Sequence, residues 1–99
     1  MNINISSLHF KADQKLELFI TEKLEKLNKI YDNIIGAEIT LKLENAGEPE
    51  NKTAEFRVKI RGNDALASKT AKTFEEATDL AVEALKKQLK KIKDKERGN

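Results

Sequence analysis

Seven basic side chains crowd the stretch ALKKQLKKIKDKER, residues Ala84 to Arg97. If this stretch is helical, Lys86, Lys90, Lys93 and Arg97 follow one another at steps of four, three and four, while Lys87, Lys91 and Lys95 form a second stripe about 100° away. The chemistry available to such a surface is neutralisation of a polyanion. Lys outnumbers Arg sixteen to three, which favours point-charge contacts to phosphates over the planar, bidentate reading of guanine edges. A basic helix end also has a plain explanation, since lysine is well solvated and complements the helix dipole at its C-terminus. The positive charge is nevertheless localised. Residues 83–99 hold seven Lys/Arg against three Asp/Glu, whereas residues 1–82 hold twelve against fourteen. Of the functional readings, a nucleic acid backbone fits better than a membrane surface, because Leu85, Leu89 and Ile92 on the opposite face are needed for a core.

Other residue types offer little chemistry. His9 is the only histidine, stands beside Phe10 in a connecting segment, and has no cysteine or recognisable carboxylate constellation with it, so it reads as a solvated loop residue. Ser6, Ser7 and Ser68 lack a base or an elbow motif. Glu44, Glu48 and Glu50 surround a turn with a spacing that matches no calcium loop. The four glycines are scattered and form no phosphate loop. No enzyme activity, cofactor, metal or small-molecule substrate is expected.

The basic stretch needs a scaffold. At 99 residues the chain is long enough for one two-layer domain, with residues 95–99 expected as a fraying tail. With 36% charged residues and five aromatics, the core must be modest and the surface heavily solvated. There are no cysteines, no apolar run of about 18 residues, and no basic-then-apolar opening, so the expected setting is the cytoplasm.

Alternation of Ile3 and Ile5 over Asn2–Ser6 predicts a first strand. Asp13 is placed to cap a helix carrying Leu16, Phe19, Ile20, Leu24 and Leu27, with Gly36 marking the exit. Two alternating strands follow, Ala37–Glu44 and Ala54–Arg61, joined by a polar hairpin loop over Asn45–Lys52. Gly62-Asn63-Asp64 should then turn the chain into a weaker strand over Ala65–Thr70. Thr73 and Glu76 have capping-box spacing ahead of a last helix of some 20 residues. The order β-α-β-β-β-α, with every long strand apolar on one side only, predicts an α+β two-layer sandwich. Both helices should cover one face of a four-stranded sheet, the first two strands should run parallel, and the later strands should form an antiparallel meander. Phe19, Leu27, Ile39, Leu41, Phe56, Val58 and Leu85 hold the apolar phase of their elements and should meet in one core.

Several stretches, taken in order, resemble one family: the short ribosome hibernation promoting factors, also known as ribosome-associated inhibitors and sigma factor modulation proteins. They are Asn4-Ile5-Ser6, Lys23-Leu24-Glu25-Lys26-Leu27 running to Tyr31-Asp32, the Ala67-Ser68 pair, and Ala77, Asp79 and Ala81 leading into Ala84–Lys91 with Lys93 and Lys95. The Gln88-Leu89 pair inside its comb of lysines is the most specific piece. The resemblance spans essentially the whole chain. It implies a double-stranded RNA-binding-domain-like fold and a protein that binds the small ribosomal subunit where messenger and transfer RNAs lie, blocking translation by occupancy in stationary phase or stress. It further implies that Lys23 and Lys26 of the first helix, with Lys87, Lys91 and Lys95 of the last, meet ribosomal RNA. Together with Lys86, Lys90 and Lys93 from the helical projection, these form the expected RNA surface. Two departures stand out: Ala84 replaces a frequent lysine, and Thr73-Phe74-Glu75 replaces Asp-Met-Tyr. The free protein is expected to be a monomer. Two other readings fit the same residues: a general double-stranded RNA-binding module, whose α-β-β-β-α order is contained in this one, and a protein-interaction module acting on a sigma factor.

Overall fold

A computed structural model describes residues 1–44 and 47–97. Its elements are β1 (Asn2–Ser7), α1 (Gln14–Ile30), β2 (Ile34–Leu43), β3 (Lys52–Ile60), β4 (Asn63–Ala71) and α2 (Phe74–Arg97). The strands lie in the order β1-β2-β3-β4, with β1 parallel to β2 and the other neighbours antiparallel. This is the mixed sheet and α+β architecture that the element order predicts.

The alternation within each strand decides which face is covered. Ala37, Ile39 and Leu41 of β2, Ala54, Phe56, Val58 and Ile60 of β3, and Ala65 of β4 are buried in one cluster with residues of both helices. Leu16, Ile20, Leu24 and Leu27 come from α1, and Phe74, Ala77, Ala81, Val82, Leu85 and Leu89 from α2. The intervening strand residues, among them Glu38, Arg57 and Lys59, face away from that core and exchange ion pairs, such as Lys59 with Glu38 at 3.6 Å. Both helices therefore share one face, and the other stays wet.

Local chemistry sets the helix starts. Asp13 caps α1 by accepting from the Leu16 amide at 2.8 Å, and the Thr73 hydroxyl accepts from the Glu76 amide at 3.0 Å at the start of α2. The two starts are tied together by Phe10 and Phe74, whose rings stack at 5.0 Å with planes 11° apart.

Four expectations change. Phe19 is only half-buried and lies outside the core cluster. The buried stripe of α1 runs Leu16, Ile20, Leu24, Leu27, and Phe19 falls on its flank, where the Lys23 ammonium sits 5.2 Å from the ring centroid. Gly36 is not the helix exit. α1 ends at Ile30, the chain turns through Asp32 and Asn33, and Gly36 is already within β2, opposite Asn2. Glycine is needed there for a different reason: a Cβ would approach the Asn2 carbonyl oxygen to 3.0 Å. The β3–β4 turn is Arg61-Gly62, with Gly62 at φ +84°, so Asn63 and Asp64 belong to β4. Finally, α2 stays helical through Lys95 and Glu96 to Arg97, inside the stretch expected to fray. Most of the expected hairpin loop is seen, closed by the Glu44 amide donating to the Asn51 carbonyl at 2.8 Å, while its residues 45 and 46 lie outside the described ones.

Candidate nucleic-acid interface

Because both helices sit on one face, their outer flanks meet along a seam. On α1, Phe19, Lys23, Lys26 and Ile30 recur at i, i+4, i+7 and i+11, which places them on one flank. Lys23 and Lys26 line a groove with Asp79, Val82, Glu83 and Lys86 of α2. The groove is charged on both sides. The Lys23 ammonium is 2.9 Å from Asp79, an ion pair that bridges the two helices, and Lys86 is 3.3 Å from Glu83 one turn earlier on its own helix.

Further along the seam, where α1 ends, Lys86, Lys90 and Lys93 surround a second concavity lined by Ile30, Tyr31 and Leu89, with Asp94 at its rim. Lys93 is anchored there, donating to the Ile30 carbonyl at 3.3 Å and so satisfying one of the carbonyls left over at the end of α1. Tyr31 is buried, and its hydroxyl donates to Glu96 at 3.4 Å. Burial pushes the phenol above its ordinary pKa and the Glu96 carboxylate adds to the effect, so the hydroxyl remains a donor at neutral pH.

The seam thus gathers Lys23, Lys26 and Lys86 around one groove, and Lys86, Lys90 and Lys93 around the next. Lys87 and Lys91 line neither. They are exposed on the adjoining stripe of α2, the side turned toward β4, where Gln88 bonds to Leu66. Lys95 follows on that stripe and is also exposed. The lysines therefore form a band that wraps from the seam across the outer face of α2. His9 is exposed in the β1–α1 connection with φ 67°. Sequence reasoning did not find Asp79 and Glu83 as partners of these lysines, nor the apolar floor at Ile30 and Leu89. The Lys23–Asp79 pair and the apolar floor arise from one helix facing another, which periodicity within a single helix does not encode; the Glu83–Lys86 pair is an i, i+3 contact within α2.

A mixed four-stranded sheet with two helices on one face and lysines banding those helices defines an α+β domain with a basic helical surface. The chain belongs to the Sigma 54 modulation protein / S30EA ribosomal protein family, whose sequence model matches residues 3–97. It is 28% identical over 98 residues to the ribosome hibernation promoting factor of Pseudomonas putida, covering 99% of this chain and 92% of that one. It is also 28% identical over 95 residues to the factor of the same name from Escherichia coli K12, with 96% of each chain covered. Among solved structures, a ribosomal subunit interface protein from Coxiella burnetii superimposes with a TM-score of 0.83 at 22% identity, over 94% of this chain and 98% of that one. The N-terminal domain of Thermus thermophilus Protein Y does so with 0.79 at 25% identity, over 93% and 99%.

Proposed function

We propose that this protein is a ribosome hibernation factor of the bacterial cytoplasm. It binds the small ribosomal subunit as a monomer, in the channel used by messenger and transfer RNAs, and stops translation in stationary phase or stress by occupying that channel. No chemical step and no cofactor are required. The observation that carries the reading is the lysine band on the two helices, set on a chain that matches the family over residues 3–97. Lys23, Lys26, Lys86, Lys90 and Lys93 along the seam, with Lys87, Lys91 and Lys95 outside it, meet the ribosomal RNA backbone. Cation-rich, aromatic-poor contacts of this kind grip folded RNA through phosphates rather than by base readout.

The test is co-sedimentation with the small subunit. Changing Lys87 and Lys91 to Glu should leave folding nearly intact, because both are exposed and such substitutions usually cost within about 0.5 kcal/mol. Binding should fall steeply and inhibition of a cell-free translation extract should fall with it. Arg57 and Lys59, exposed on the open face of the sheet, receive the same charge change as a control. Lys42 makes a poorer control, since Glu44 and Glu55 both hold it. Equal loss in both double variants would mean that overall charge, not a site, governs binding. Loss of ribosome activity at far less than one protein per ribosome would mean that the protein is an enzyme.

A further inference from the structure

The second concavity of the seam is unlike the rest of the lysine band, because its floor is apolar. Leu89 is 1% exposed and Tyr31 4%, yet Ile30 beside them is 51% exposed and stands as an uncovered aliphatic wall. The cleft measures about 330 Å³. That lies at the lower end of the range for small-molecule sites, roughly 300–1,000 Å³, and is too small for a helix or a strand. Lys86, Lys90 and Lys93 rim it against the single carboxylate of Asp94. Lys93 is committed to the Ile30 carbonyl, and Lys86 to Glu83, whereas Lys90 has no ion-pair partner among the described residues. An apolar slot with cations at its mouth fits a ligand that is flat and apolar at one end and anionic at the other.

We propose that this cleft takes one unpaired nucleotide of RNA, its base against Ile30 and Leu89 and its phosphate on Lys90. The proposal rests on the reading that the lysine band meets RNA, and it adds a contact that phosphate neutralisation alone does not supply. The lysine stems contribute further apolar surface beside the base, as long cationic side chains do when their heads stay in water. A duplex keeps its bases stacked inside and offers the cleft only backbone, so the cleft distinguishes unpaired from paired RNA.

The test uses the full chain and three probes: a single-stranded tetranucleotide, a blunt RNA duplex, and a short poly-glutamate peptide. Methyl NMR should show the tetranucleotide shifting Ile30 and Leu89, with the duplex shifting neither. Ile30→Ser keeps the fold, because that side chain is half-exposed at a helix end. It should weaken the tetranucleotide by about tenfold, of the order a lost base contact causes, and leave duplex binding and its salt dependence unchanged. Unchanged tetranucleotide affinity in Ile30→Ser would overturn the proposal, as would stronger shifts of the same methyls by poly-glutamate. Ribosome pelleting of the wild type separates the two readings. If the wild type pellets while Ile30→Ser matches it with every probe, only the cleft assignment fails; if the wild type does not pellet, the ribosome reading fails.

Discussion

The side-chain amide of Gln88 pairs with the backbone of Leu66 as a neighbouring strand would: its Nε2 donates to the Leu66 carbonyl at 2.6 Å and its Oε1 accepts from the Leu66 amide at 3.1 Å. β4 is an edge strand, and unpaired edges invite pairing with another chain. A glutamine on α2 thus closes part of that edge while its neighbours Lys87 and Lys91 stay free to face outward. Replacing Gln88 with Ala should cost about 1 kcal/mol for the lost pair of bonds, read as a lower urea midpoint. Hydrogen exchange at the Leu66 amide should quicken. Glu at this position should do no better, because one carboxylate oxygen would oppose the Leu66 carbonyl.

Thr78 is fully buried in α2, and its hydroxyl has no hydrogen-bond partner among the described residues. A buried hydroxyl without a partner forfeits its hydration. Thr78→Val keeps the shape and removes the polar atom, so stability should rise by about 1 kcal/mol, measured by urea denaturation. Thr78→Ala would leave a space in the core and should gain less or lose.

The ion pair between Lys23 and Asp79 is partly exposed, so breaking it should cost stability no more than about 1 kcal/mol. RNA binding should respond more strongly. Asp79→Asn frees the Lys23 ammonium and removes a carboxylate from the groove proposed to face phosphate. Affinity for the small subunit should increase, most at low salt, where exposed charges are least screened. A salt titration of wild type and Asp79→Asn checks this; weaker binding by the variant would show that Asp79 acts by positioning Lys23 instead.

At the other end of the sheet, Lys42 lies 2.8 Å from Glu44 and 3.1 Å from Glu55, and the Thr53 hydroxyl donates to Glu44 at 3.0 Å. The bond from Lys42, then that from Thr53, lowers the Glu44 carboxyl below its ordinary 4.5. The bonds to Glu44 and Glu55 raise Lys42 above its ordinary 10.5. A lowered acid stabilises the fold above the unfolded value and ceases to do so as pH falls through the folded one; a raised base does the reverse at the alkaline end. The stability difference between wild type and Glu44→Gln should therefore be steady through neutral pH. It should shrink below about 4.5 and again above about 10.5, with the cluster's exposure keeping it small. Urea midpoints across that range measure it.

Much of the fold was legible because its signals are local. Period-two alternation in Ile39, Leu41, Phe56 and Val58, the Asp13 and Thr73 caps, and the one-sided strands together required two helices on one face of a sheet. The parallel pairing of β1 with β2 followed from the helix between them. Phe19 was misread as core, since the apolar stripe of α1 is wide enough in sequence to include it and only the packed position of α2 shows which edge stays wet. Gly36 looked like a helix stop, and the close approach of Asn2 that requires it is a contact across strands.

The sequence by itself determined that lysines concentrate on α2, in two stripes about 100° apart, because a single helix fixes the angular relation of its own side chains. It could not determine what those stripes face. Only the docking of α1 beside α2 set Asp79 against Lys23 and placed Ile30 over Leu89 at the mouth of a cleft, and only the seating of α2 on the sheet aimed Gln88 at the edge of β4. These relations join residues 22 to 59 positions apart. They depend on how two helices settle on a twisted sheet, and no periodicity within either helix carries that information.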